Sequence, residues 1–396
     1  VAQGTRNSWI LMAAQALNGS GAVVCIALGG LAGAFLLGED KSLATLPVSG
    51  MGVGLAAGAL PAALLMQRIG RRLGLMAGNG FAIGGGLVAA AALAFGSFWL
   101  FTFALLMVGF ASAFVQQYRF AAAEAVPPEL RGVAISRVMI GGIVTALLAP
   151  QVILYTRNLF DPPPFAGAFL AMSVLALIGL AVLSRLRFPP RAMAPAPGSA
   201  TEAARPLSEI ARQPRFLVSL LCAATSFALM SFVMTAAPLA MVGHQHTEAD
   251  AVLGIQWHVI AMFAPSLITG RLIFRFGKET IVATGLALLI ASALLGLAGV
   301  ELFHFWGMLV LLGFGWNFAF IGATAMLTDT YRPSERGRVE GFNDLVVFGS
   351  VAVASFFSGQ ILSTSGWSAV NYVVLPTVAI ALAMLLVQTV RARRVA

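Results

Sequence analysis

The chain has 396 residues, of which 59% are hydrophobic and only 10% charged. A typical globular domain is about 45–50% apolar and about 25% charged, so an ordinary water-soluble protein is excluded. The net charge of +9 invites a nucleic-acid partner, but the basic residues follow membrane topology instead of forming a patch, and no nucleic acid is expected.

In chain order, apolar runs of ~20 residues, the length that crosses a bilayer core, number about twelve. They fall near 8–37, 43–66, 73–95, 98–121, 133–156, 165–184, 216–242, 250–273, 279–300, 303–327, 339–363 and 367–390. Stretches such as Gly80 to Leu93 and Val282 to Val300 carry no charge. The expected class is an all-α membrane protein with short loops and no folded soluble domain. The first run has no small-residue cleavage site behind a short apolar core, so it is expected to be retained.

With the N-terminus in the cytoplasm and the spans alternating, only Lys41 and Arg157 of the 24 Lys and Arg fall outside. This positive-inside bias places both termini in the cytoplasm and explains the net charge by orientation and anionic headgroups. Cys25 and Cys222 both lie within predicted spans, which excludes a disulfide framework and leaves small core residues or soft metal ligands.

One long polar, proline-rich stretch, Arg187 to Pro214, divides the spans six and six. The domains are therefore 1–186, a cytoplasmic linker at 187–214 with a short surface helix near Leu207 to Arg212, and 215–396. The two halves echo each other. "QRIGRR" (Gln67 to Arg72) follows the second span and "FRFGKE" (Phe274 to Glu279) the eighth, 207 positions later. "PPELRG" (Pro127 to Gly132) follows the fourth span and "RPSERG" (Arg332 to Gly337) the tenth, with Arg131 and Arg336 offset by 205. Gly70 and Gly277 would permit sharp reversals between helices, while Arg68, Arg71, Arg275 and Lys278 hold acids or helix carboxyl ends beneath the membrane.

These features resemble the major facilitator superfamily, whose loop after the second span reads roughly Gly-x-x-x-Asp-Arg-x-Gly-Arg-Arg. The chain matches at Arg68, Gly70, Arg71 and Arg72, and departs at Ala63 and Gln67. The departure at Gln67 bears on the loop's usual charge relay, not on the fold. The resemblance implies two pseudo-symmetric six-helix bundles with a substrate path between them, and a carrier instead of an enzyme. No Gly-x-x-x-x-Gly-Lys-[Ser/Thr] loop occurs, so ATP is not the expected drive.

Two pairs stand out within the apolar runs. Met230 and Met234 are one helical turn apart in the seventh span, and His258 and Met262 one turn apart in the eighth. Methionine commonly fills core gaps. An intramembrane imidazole is costly without water, a partner or a ligand. In an antiparallel hairpin, residues at equal depth share a constant sum of positions. That sum is 492 for Met234 with His258 and for Met230 with Met262, so three thioethers and one imidazole form two adjacent levels. Thioethers favour Cu(I) over hard cations.

The paired motifs resemble the bacterial CcoA-type copper importers. That resemblance implies that Met230, Met234, His258 and Met262 bind copper as transported substrate, with no cofactor. It implies a bacterial inner-membrane importer supplying cytochrome oxidase assembly, with cytoplasmic copper chaperones as partners. The alternative is a carrier of a small organic molecule such as riboflavin, which predicts aromatic and amide contacts in a central cavity. His244 and His246 in the external turn read either as a collecting point for metal or as a solvated turn. Gln116, Gln117, Tyr118, Trp316 and Asn317 read as substrate contacts or as cross-helix bonds. Asp344, with Asp329, Glu335, Glu340, Arg332, Arg336 and Arg338, reads as gate salt bridges, with Glu124, Glu129 and Arg131 as the first-half equivalent.

Overall fold

Runs of Leu, Ala, Val, Ile and Phe without intervening charges can only satisfy their backbone inside a membrane by forming helices, and helices are what the computed structural model shows. It describes residues 2–39, 41–127, 130–188, 205–332 and 334–395, so most of the expected linker lies outside the described residues. The elements are α1 (Ala2–Asn18), α2 (Ser20–Leu37), α3 (Leu46–Ile69), α4 (Arg71–Ala94), α5 (Phe98–Val115), α6 (Tyr118–Glu124), α7 (Arg131–Thr156) and α8 (Ala166–Leu183). After the short α9 (Leu207–Ile210), close to the surface helix expected there, follow α10 (Pro214–Gly243), α11 (Glu248–Phe263), α12 (Ser266–Phe276), α13 (Lys278–Ala298), α14 (Leu302–Leu327) and α15 (Arg336–Val395).

Among the described residues, ten helices are long and apolar enough to cross a membrane, eleven when α11 and α12 are taken as one bent span. The twelfth comes from α15. A straight helix of 60 residues would be ~90 Å long, about three bilayer cores, but Gly366 interrupts it with φ 78° and ψ −178°. Glycine tolerates this positive φ and lets the chain turn back. Two other spans are broken within the membrane. α1 and α2 join at Gly19 to give the span Gln3–Leu37, and α11 and α12 bend by 42° after Phe263.

The bend has a local cause. Pro265 supplies no backbone N–H at the break, and Asn317 of α14 covers the gap. Its Nδ2 donates to the Met262 carbonyl at 2.6 Å and to Ser266 Oγ at 2.6 Å, while its Oδ1 accepts from Thr269 Oγ1 at 2.7 Å. The cross-helix reading of Asn317 is the one the structure shows.

The repeat seen in the sequence is also a repeat of backbone. Gly70 adopts φ 86° and ψ 158°, and Gly277 φ 87° and ψ 155°, a region almost confined to glycine. The charges beside them repeat too. Arg71 at the start of α4 reaches Glu124 at the end of α6, and Lys278 at the start of α13 reaches Asp329 just past α14.

In the first half α3 packs on α5, α4 on α5 and α8, and α1 on α7; in the second, α10 packs on α14 and α15, α13 on α14, and α11 on α14. α3 meets α15 and α7 meets α11 across the halves. Small residues make these approaches close: a Cβ on Gly109 would collide with the Met51 carbonyl, and one on Gly285 with the Ala319 amide.

The halves are not equally close along their length. Near the end poor in basic residues, here termed the outer end, Arg157 pairs with Glu248 at 2.7 Å, Gln151 donates to Gln256 at 3.1 Å, and Gln360 donates to the Ser42 carbonyl at 2.6 Å. A Cβ on Gly52 of α3 would lie 2.9 Å from the Ala352 Cα of α15. Three turns towards the basic end, on the same face of α15, a Cβ on Gly341 would meet nothing within 4 Å, and Gly349 is equally open. Close backbone approach between α3 and α15 is thus seen at Gly52 and Ala352 and not at Gly341 or Gly349.

Candidate functional site

A solute crossing the bilayer must meet side chains near its midplane, and three helices of the second half place aromatic rings there. Phe227 lies at the middle of α10, Trp316 at the middle of α14, and Phe348 midway between the start of α15 and its break at Gly366. Phe227 meets Trp316 edge-on at 5.2 Å, Phe320 at 5.1 Å and Phe348 at 5.7 Å between ring centroids. Trp316 and Phe320, one turn apart on α14, stack at 5.3 Å with planes 12° apart. Such pairs hold one another rigidly at specific angles.

The cluster has an unmet polar group. The Trp316 Nε1–H is buried and has no hydrogen-bond partner, whereas the Trp306 Nε1–H donates to the Asp250 carbonyl at 3.0 Å. Buried indole N–H groups ordinarily find an acceptor. Phe227 and Phe320 are only partly buried. Flat faces, one orphaned donor and incomplete burial make a surface onto which a planar solute can stack.

The sulfur and imidazole residues are placed as follows. Met230, Met234 and Met262 belong to the largest hydrophobic core, and His258 is fully buried. The His258 ring is aimed at α14, because its Nδ1 donates to the Leu309 carbonyl at 2.7 Å. A carbonyl only accepts, so Nδ1 carries a proton; Nε2 is buried and without a partner, and the neutral ring would leave a lone pair there. α11 packs chiefly on α14 and α7, and α10 chiefly on α15 and α14. The two helices expected to face each other thus spend most of their contact on other neighbours. Cys25 and Cys222 are buried free thiols. Among the described residues no group of three or more His, Cys, Asp or Glu could hold a metal ion.

The external histidines serve the turn. His244 Nδ1 donates to the Ala240 carbonyl at 2.7 Å, His246 Nε2 to the Val300 carbonyl at 2.8 Å, and both rings lie against Phe305. Gln117 accepts from Arg71 at 3.4 Å, and Tyr118 is buried and accepts from Asn18 at 2.8 Å. These are bonds across helices.

The basic loops tie elements within one half. Arg71 binds Glu124 at 2.9 and 2.5 Å without any acid at position 67. Asp329 accepts from Lys278 and Arg215; burial pushes its carboxyl upward, but these hydrogen bonds outweigh burial and hold it below the usual aspartate range. Glu335 accepts from Arg205 at 2.8 and 2.9 Å and from the Arg332 amide at 2.9 Å. The Arg205 guanidinium first, then the backbone donors, hold its carboxyl far below the usual glutamate range against a smaller opposing effect of burial. Arg68 and Arg275 are exposed, the latter lying over Phe276 at 5.2 Å. The side chains of Arg131 and Arg336 lie outside the described residues. Asp344 accepts from its neighbour Asn343 at 3.2 Å.

At the outer end the ion pair Arg157–Glu248 bridges the halves, beside the Gln151–Gln256 and Gln360–Ser42 bonds. Each member of that ion pair sits at a favourable helix end, Arg157 just past the carboxyl end of α7 and Glu248 in the first turn of α11, where the helix dipoles favour those charges. Arg119 is a charge inside a predicted span, which is its own signal; its Nε is buried without a hydrogen-bond partner, its guanidinium lies 4.8 Å from the Phe120 ring centroid, and it interacts electrostatically with Asp344 and Glu340 of the second half.

The model of the Major Facilitator Superfamily matches residues 9–322 and 220–396. The chain belongs to the Major Facilitator Superfamily. This major facilitator chain is 49% identical to the riboflavin transporter RfnT of Brucella anthropi over 97% of its own length and 96% of the relative's. It is 29% identical to the uncharacterised MFS-type transporter YdeG of Bacillus subtilis, covering 93% and 88% of the two chains. Among solved structures it superimposes on a D-xylose–proton symporter with a TM-score of 0.73 over 96% of each chain at 14% identity, a likeness of fold. It is a multi-pass membrane carrier, not an enzyme. The copper resemblance fares differently: nearly full-length similarity to a riboflavin transporter favours the organic-solute alternative over copper import.

Proposed function

We propose that this carrier moves riboflavin, or a flat aromatic solute of the same kind, across a bacterial inner membrane into the cytoplasm by alternating access, with both termini cytoplasmic. The single observation that carries the reading is the midplane cluster of Phe227, Trp316, Phe320 and Phe348 with its unpartnered indole N–H. A flavin has broad polarizable faces that stack on such rings and edge carbonyls that accept from Trp316 Nε1. The 49% identical relative named as a riboflavin transporter supports the same cargo.

The test is uptake of labelled riboflavin by bacteria that cannot make it, with the carrier as their only route. Expected is saturable uptake that disappears in Trp316→Ala. Uptake no greater than in cells without the carrier would remove the flavin reading. Copper keeps one observation in its favour, the buried, unpartnered Nε2 of His258 beside a methionine-rich core. Copper accumulation lost in His258→Ala, in cells that take up no riboflavin, would move the assignment to the metal.

A further inference from the structure

The midplane cluster does not account for a cavity elsewhere in the fold. At the outer end a space of about 630 Å³ opens between the ends of α2, α10 and α11, the part of α15 just before its break at Gly366, and the loop before α8, within the ~300–1,000 Å³ of small-molecule sites. It has aromatic walls in Phe35 and Phe165, and opposite charges in Lys41 and Glu248. Phe35 is 49% exposed, whereas Phe165 is 4% exposed and held at φ 68°, a backbone state uncommon outside glycine. One ring is fixed and the other is free to adjust.

Glu248 has two roles at once. Glu248 lines this cavity, and its carboxylate accepts an Arg157 bond between the halves. A group entering the cavity with hydrogen-bond donors reaches the same carboxylate that keeps the outer end shut.

We infer that this vestibule is a first binding site for the transported solute on its way to the midplane, and that occupancy loosens the Arg157–Glu248 tie. The identity of the solute rests on the flavin reading. A flavin stacks its ring between Phe35 and Phe165, presents ring carbonyls to the Lys41 ammonium, and presents its imide N–H or side-chain hydroxyls to Glu248. A solute that binds the parted arrangement better than the tied one shifts the population towards opening. The outer tie thus yields to solute in particular.

The test uses a single cysteine, Ser363→Cys, on the cavity wall. The native Cys25 and Cys222 are both 0% exposed, so a membrane-impermeant maleimide added outside reports position 363. Riboflavin at ten times its dissociation constant should slow labelling about tenfold by simple occupancy. The protection should persist in Ser363→Cys/Trp316→Ala, which lacks the midplane ring, and fall in Ser363→Cys/Lys41→Ala. Without solute, Ser363→Cys/Glu248→Gln should label faster than Ser363→Cys alone. Unprotected labelling in cells that accumulate riboflavin overturns the vestibule while leaving the cargo assigned. Protection that vanishes with Trp316 overturns it as well, by tracing the effect to the midplane. Cells that accumulate no riboflavin overturn cargo and vestibule together.

Discussion

Replacing Asn317 by leucine removes an amide that makes three hydrogen bonds of 2.6–2.7 Å at the bend between α11 and α12. The site is fully buried, so water cannot substitute. Cross-helix side-chain bonds within membranes average ~0.6 kcal/mol, which gives about 2 kcal/mol for three. Thr269 keeps the Pro265 carbonyl as a partner, but a buried Met262 carbonyl left without this donor raises the figure, since a buried orphan costs roughly 1–3 kcal/mol. A loss of about 2–4 kcal/mol is expected, and at ~2–4 °C per kcal/mol for domains of 150–250 residues, less for longer chains, the melting midpoint should fall by several degrees. Thermal melts of the detergent-purified protein measure it, with Thr269→Val, which removes one of the three bonds, losing about a third as much. Solute uptake should fall too, because the bend sets the direction of the inner part of that span. Asn317→Leu melting within a degree of the parent, with unchanged uptake, would refute the claim that the amide holds the bend.

Trp316→Phe keeps a stacking ring but removes the N–H. Loss of one hydrogen bond of ~1 kcal/mol should weaken riboflavin binding about fivefold, read by flavin fluorescence titration, and an unchanged affinity would exclude the indole donor. Met234→Leu preserves volume and should leave riboflavin uptake within about twofold, since such swaps commonly cost under ~1.5 kcal/mol; abolished uptake would give the thioether a direct role. Gly70→Ala and Gly277→Ala place a side chain at the same unfavourable backbone angles, so each should cost about 1–3 kcal/mol and the two melts should shift alike. Glu335 is held below its ordinary range, so its pairing stabilises the fold fully above the ordinary glutamate value of ~4.3 and is lost as pH falls through the lower folded value. Glu335→Gln should therefore flatten the decline in melting temperature on acidification, and an unaltered pH profile would count against the Arg205 pairing.

Much of this architecture is one-dimensional information. Uncharged runs long enough to span a bilayer have no stable alternative to helix there, so spans, loops and the bias of basic residues can be read without knowing any contact. The repeat was legible for a related reason: Gly70 and Gly277 occupy backbone angles that almost no other residue accepts, and that constraint is local. The candidate site is different. Twenty-eight phenylalanines populate the chain, and nothing in their spacing says that Phe227 and Phe348 converge on Trp316 and Phe320 from separate helices. The level rule placed Met234 beside His258 by assuming that consecutive helices face each other, yet α10 and α11 turn mainly to α14, α15 and α7, and the imidazole follows α14. Likewise the basic loops announced charged ties, but only the packing shows which partners they take: among the described residues Arg71 with Glu124 and Lys278 with Asp329 within one half, and Arg157 with Glu248 between the halves. Periodicity and charge act along the chain and fix what enters the membrane; which faces meet depends on shape complementarity among a dozen similar apolar helices, and that is settled only in the assembled fold.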